Sequence, residues 1–231
     1  SMKKVVYLII ASLLNVSVLA ENTVAPTMKL YLASSFSKVW DDIATHLPLV
    51  PTNSLACHIP TAGFNADWTH TESDRIRKSG FTVKRIDIAK YDESNIADEF
   101  KNCDIIYVGG GDEFYLLQEF RRSGFDKVVQ EKIALGVPYI GSSAGSMVLG
   151  SSIEFAKSIR KTEASPLLKS YDGLNIIPLS LFVHFGNPDL KEIYRNILAF
   201  ALEDGTIFIT MNDDQFLFAE GNQWRLVEAK E

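Results

Sequence analysis

The sequence has 231 residues, 46% hydrophobic and 23% charged, enough apolar material for one compact α/β domain with a large core rather than two small ones. A formal net charge of −6, with Lys and Arg spread thinly, leaves no basic face for phosphate backbones, so nucleic acid is not an expected partner. Cys57 and Cys103 are the only cysteines. They are too few for a disulfide framework and form no Cys-x-x-Cys pair, so both are read as small, buried, reduced hydrophobes.

At the N-terminus, Lys3-Lys4 precede an apolar run over residues 5–20, and Val18-Leu19-Ala20 stand ahead of polar Glu21-Asn22-Thr23. This is the layout of a secretory leader cut after Ala20. Met28-Lys29-Leu30-Tyr31-Leu32 is the competing start, since it feeds directly into a strand pattern. An uncleaved anchor is a third reading, although the run is shorter than the roughly 20 residues of a membrane span. Residues 1–27 are therefore set apart as a leader or N-terminal extension, and 28–231 as one catalytic domain without stable membrane association. The domain is secreted or periplasmic if the leader is used and cytoplasmic otherwise, and is expected as a monomer or homodimer.

From Met28 onward, short β-branched or apolar runs alternate with amphipathic helical patterns. That alternation predicts an α/β fold, a mostly parallel sheet with helices on both faces. Strands are expected at 29–33, 54–59, 82–87, 104–108 and 139–141, and helices at 37–46, 68–79, 93–102, 113–122 and 127–135, with Gly80, Gly124 and Gly136 as stops. Residues 151–178 are polar and irregular, a candidate active-site loop region. A helix at 190–202 and strands at 206–211, 215–220 and 224–227 close the chain, the last two joined by a hairpin at Gly221-Asn222.

Ser143 lies in Gly141-Ser142-Ser143-Ala144-Gly145, at a corner between a strand and an apolar helix beginning Met147-Val148-Leu149. Gly and Ala around such a corner avoid collisions and lift the hydroxyl clear of the sheet, the arrangement of a nucleophile elbow. The following helix N-terminus adds a positive end for an oxyanion. Gly109-Gly110-Gly111-Asp112, after the 104–108 strand, exposes backbone N–H groups. Gly110 or Gly111 is a candidate oxyanion donor alongside Ala144. The glycine run lacks the Lys-Ser/Thr of a phosphate loop and the spacing of a dinucleotide fingerprint.

Four histidines compete for the role of base. His46 falls late on a surface helix, His58 inside a strand where a buried, hydrogen-bonded ring is the plain reading, and His70 at a helix start. His184 ends the apolar run 179–183, at the carboxyl end of a strand, and is the expected base. An acid must then hold the ring. Glu154, Glu163 and Asp172 are the candidates, with Glu154 favoured for its apolar neighbours Ile153 and Phe155.

These segments resemble the peptidase E (aspartyl dipeptidase) family of serine peptidases, which also includes cyanophycinase. The likeness runs from Met28 to Val227 and is carried by residues 28–36, 59–62, 107–117, 141–150 and 170–175. It implies a fold related to class I glutamine amidotransferases with Ser at the elbow, no metal or organic cofactor, and hydrolysis of short peptides, those with N-terminal Asp in particular. It places the nucleophile on Ser143, the histidine on His184 and the glycine-loop donor on Gly110 or Gly111. Ile153-Glu154 matches relatives that use Glu as the acid, while the spacing of Glu163 matches those that use Asp, and Asp172 falls on a structural position. Two departures stand out. Asp112 replaces a frequent Asn, and no clear counterpart exists for the arginine that would hold a substrate Asp, with Arg160 and Lys161 as loop cations that could serve. An α/β-hydrolase esterase, or an inactive binding protein of the same fold, are the alternative functions. Against the esterase, several elements follow His184, where that fold would be near its end.

Overall fold

The computed structural model describes residues 26–230; the leader read at 5–20 lies outside them. A seven-stranded sheet is built from β1 (Lys29–Ala33), β2 (Leu55–Ile59), β3 (Thr82–Arg85), β4 (Ile105–Val108), β5 (Tyr139–Ser142), β8 (Gln215–Glu220) and β9 (Gln223–Glu228), in the order β3-β2-β4-β5-β1-β8-β9. The first five strands of that order run parallel, whereas β8 and β9 are antiparallel. A separate parallel pair joins β6 (Ser180–Phe182) to β7 (Phe208–Thr210).

The period of two along each strand divides the interior. Leu30, Leu32, Cys57, Ile59, Ile106, Val108 and Tyr139 face one core. This core also takes the apolar sides of α3 (Ile96–Glu99), α4 (Glu113–Ser123) and α5 (Phe125–Ala134). Tyr31, Ala33, Ala56, Ile105, Tyr107 and Ile140 face the other core, beneath α1 (Phe36–His46) and α2 (Asp67–Lys78). Trp40 is the largest side chain buried there, and its indole Nε1 donates to Ser79 Oγ at 2.9 Å. The expected helices on both faces of a mostly parallel sheet are therefore present.

Three expectations need correction. The helix read at 93–102 is confined to Ile96–Glu99. Asp92 accepts from Ser94 N at 2.9 Å, and Asn95 Oδ1 accepts from Asp92 N at 3.0 Å, side-chain bonds that hold the backbone in a turn. The strand read at 206–211 shortens to β7 and pairs with β6, outside the main sheet. Cys57 and Cys103 are not reduced thiols. They are disulfide-bonded, with Cα atoms 5.7 Å apart. Cys57 lies on β2 opposite Ile106 of the neighbouring β4, and Cys103 lies in the segment just before β4, so the adjacency of the two strands brings the two cysteines within reach. Reduction is expected to lower the unfolding free energy by about 2–4 kcal/mol. Urea unfolding with and without reductant measures this, and unreduced peptide mapping is expected to recover a cross-linked pair containing both cysteines.

Candidate active site

β5 enters the elbow and α6 (Ala144–Met147) leaves it. Ser143 sits between them at φ 50°, ψ −110°, a sparsely populated conformation costing on the order of 1–3 kcal/mol. The surrounding glycines explain how it is held. A Cβ on Gly145 would lie 2.1 Å from Val108 O, and one on Gly141 would lie 2.7 Å from Gly145 O. The elbow therefore packs against the end of β4 at backbone contact, closer than any side chain permits. Ser143 N and Ser146 Oγ donate to Ala33 O at 3.0 and 2.7 Å, and Tyr139 donates its hydroxyl to Gly145 O at 2.6 Å. α6 is only one turn long, so the macrodipole expected from the sequence reduces to the local N–H groups of that turn.

Gly110 lies directly against the nucleophile corner, where an added Cβ would meet Ser143 Cβ at 3.2 Å. Gly111 has φ +134°, and a Cβ there would stand 2.1 Å from Ala62 O, so this turn requires glycine. The amides of Gly110, Gly111 and Ala144 have no protein acceptor among the described residues, the state expected of donors kept for a ligand oxygen. Asp112 explains the departure noted in the sequence. It caps α4, its carboxylate accepting from Phe114 N at 3.0 Å and Tyr115 N at 2.9 Å, a task Asp and Asn share.

His184 follows β6 with φ 58°. Its Nε2 lies 3.0 Å from Ser143 Oγ. Its backbone is fixed from several sides: its N–H donates to Ser34 Oγ at 2.7 Å, Tyr194 donates its hydroxyl to the His184 carbonyl, and Phe185 N donates to Met211 O at 2.9 Å. The carboxylate at its far nitrogen is Asp213, with Oδ1 2.5 Å from Nδ1. Ser34, fully buried, donates to the same oxygen at 2.8 Å.

None of the three acids singled out from sequence reaches this ring. Glu154 lies on a short 3-10 segment whose Phe155 and Ala156 point inward, which turns its own carboxylate out to Lys157 Nζ at 2.9 Å. Apolar neighbours in sequence thus signalled a buried segment, not a buried carboxylate. Glu163 is exposed beside Lys161, at 3.9 Å. Asp172 accepts from Ser170 Oγ at 2.7 Å and lies in the isolated bridge to Ser152, a structural place as the resemblance implied. Asp213 lies after His184 in the chain, outside the 151–178 loop to which the sequence points for an acid. The parallel register Phe182↔Thr210 brings the ends of β6 and β7 side by side, and Asp213 follows β7 much as His184 follows β6. The usable signal was Asn212-Asp213-Asp214 at the carboxyl end of a predicted strand.

The other histidines lie elsewhere. His58 is fully buried with Nδ1 2.7 Å from Ser73 Oγ, and burial pushes its pKa below the usual imidazole value. His46 and His70 are exposed on α1 and α2. Arg160 donates from Nε to Glu113 Oε2 and from Nη2 to Gly111 O, both at 3.2 Å; Lys161 is exposed. Among the described residues no cluster of three or more His, Cys, Asp or Glu could hold a metal ion, and no helix is long and apolar enough to cross a membrane.

A hydroxyl on a strained elbow, a histidine at hydrogen-bonding distance and a carboxylate behind it form the arrangement that serine hydrolases use. The profile of Peptidase family S51 matches residues 33–227, and the chain belongs to that family of serine-type peptidases. An uncharacterized peptidase of Listeria monocytogenes is 34% identical over 172 residues, 73% of this chain and 83% of the relative. Peptidase E of a Shewanella species is 31% identical over 143 residues, 61% of this chain and 57% of its own. Among solved structures, a Listeria monocytogenes protein provisionally named Peptidase E superposes with a TM-score of 0.80 at 28% identity, over 88% of this chain and all of that one.

Because the elbow closes on β4 through backbone contact, Gly145→Ala is expected to destabilise the fold by about 3 kcal/mol or more. The change is read by urea unfolding, with Gly186→Ala as a control, since an added Cβ there meets nothing within 4 Å and only its positive φ is penalised.

Proposed function

We propose that this peptidase hydrolyses short peptides through an acyl-enzyme on Ser143, with His184 as the proton carrier and Asp213, in place of Glu154, as the acid that holds it. The observation that carries this reading is the continuous chain from Ser143 Oγ through His184 Nε2 at 3.0 Å and from Nδ1 to Asp213 at 2.5 Å. With a carboxylate at Nδ1, the ring keeps its proton there and presents Nε2 as an acceptor toward the serine.

Ser143 Oγ attacks the scissile carbonyl carbon while Nε2 takes the hydroxyl proton, and the carbonyl oxygen becomes an oxyanion. The amides of Gly110 or Gly111 and of Ala144 serve as its donors. The C–N bond then breaks as the imidazolium gives its proton to the leaving amine. Water enters through the same base, and the acyl group leaves as a carboxylic acid. Asp213 holds the ring by Nδ1 and stabilises the imidazolium that forms. Hydrolysis of Asp-X dipeptides is what the likeness to Peptidase E implies; the side-chain preference depends on the pocket beside Ser143.

Ser143→Ala is expected to abolish both dipeptide turnover and labelling by a fluorophosphonate probe. Asp213→Asn is expected to lower kcat by about 10⁴-fold, as loss of the orienting acid does elsewhere, while Glu154→Gln and Glu163→Gln stay within about twofold of the parent. Steady-state kinetics on the four variants checks the set. A large loss with Glu154→Gln and none with Asp213→Asn would reverse the assignment of the acid.

A further inference from the structure

Beside Ser143 and His184 opens a pocket of about 110 Å³, walled by Met147, Phe155, Ile159, Phe182, Val183 and Ile193. Among the described residues that line it, the one carboxylate is Glu113 and the one Lys or Arg is Arg160, and these face each other: the Glu113 side chain is 4% exposed, and Arg160 Nε donates to it at 3.2 Å. Arg160 spends a second donor on Gly111 O, so it is tied to the glycine loop as well. The second Glu113 oxygen, Oε1, is buried without a partner. The pocket thus carries its own carboxylate, already seated against the one cation an acidic side chain would need.

Resting on the serine-peptidase reading, we propose that this pocket takes an uncharged aliphatic side chain, of Leu or Met type, on the residue whose carbonyl Ser143 attacks. Glu113 is then the residue that excludes Asp. An incoming Asp carboxylate would share one guanidinium with Glu113 and stand against its unpartnered oxygen, two like charges in an apolar wall. An aliphatic side chain leaves the pair undisturbed and replaces water on the apolar wall. Size agrees with the chemistry, since an apolar cavity of about 150 Å³ holds a benzene, and a smaller one suits a branched or thioether chain better than an aromatic ring. The preference is opposite to the one that likeness to Peptidase E implies, and its cause is a single residue, Glu113, at the first position of α4.

The test is a panel of Leu-Ala, Met-Ala, Val-Ala, Phe-Ala, Lys-Ala and Asp-Ala read by mass spectrometry on the parent protein and on Glu113→Gln, with fluorophosphonate labelling of Ser143 alongside. The parent is expected to favour Leu-Ala or Met-Ala over Asp-Ala by about 10²-fold in kcat/KM. Glu113→Gln keeps the side-chain shape and releases Arg160 from its counterion, so the Asp-Ala to Leu-Ala ratio should rise at least about tenfold. A labelled parent that prefers Asp-Ala or Lys-Ala overturns the pocket assignment and leaves the serine-peptidase reading standing. A parent that neither labels nor hydrolyses any dipeptide overturns both. A folded, labelled Glu113→Gln whose ratio does not move overturns the role of Glu113.

Discussion

At the carboxyl end of β1, Ala33 and Ser34 bond to the Ser143 elbow, to His184 and to Asp213. Ala33 O receives Ser143 N and Ser146 Oγ from the elbow. The next residue, Ser34, receives His184 N and donates to Asp213. β1 pairs with β5 on one side and β8 on the other, and Asp213 lies just ahead of β8. Ser143 arrives through the main sheet, whereas His184 arrives through the separate β6–β7 pair. Ser34 joins the two. Hydrogen bonds to adjacent residues at the end of β1 thus fix the backbone on both sides of the Ser143 to His184 contact.

Much of this is legible in the sequence. Ser143 and His184 announced themselves as polar residues at the ends of apolar runs, and the glycine loop as three adjacent residues lacking Cβ. Such signals survive in one dimension because each depends on neighbours in sequence. The acid did not survive, because its position depends on which strand lies beside which. β6 and β7 are separated by a whole helix, α7 (Lys191–Asp204), and nothing in their composition declares that they pair. The disulfide was missed for the same reason: 46 residues separate Cys57 from Cys103, and only the adjacency of β2 and β4 closes the gap.

The pocket beside Ser143 is built from the same part of the fold as the serine and the histidine. Met147, Phe155 and Phe182 come from the elbow helix, the irregular segment after it and β6, so the wall is assembled from elements that also carry Ser143 and His184. Glu113 comes from the first turn of α4, next to the helix-capping Asp112. Burial pushes its carboxyl above the usual range, and the Arg160 guanidinium opposes that rise. Residue 113 thus meets the pocket through its side chain, while the cap of α4 belongs to Asp112.

Five non-glycine residues among those described have positive φ, and two of them are Ser143 and His184. Both pay a backbone penalty that glycine would relieve. The backbone at these two positions would thus be less strained with glycine than with the serine and histidine it carries. Drift toward greater stability, left unopposed by selection for activity, runs at these two positions toward a well-folded protein with no chemistry.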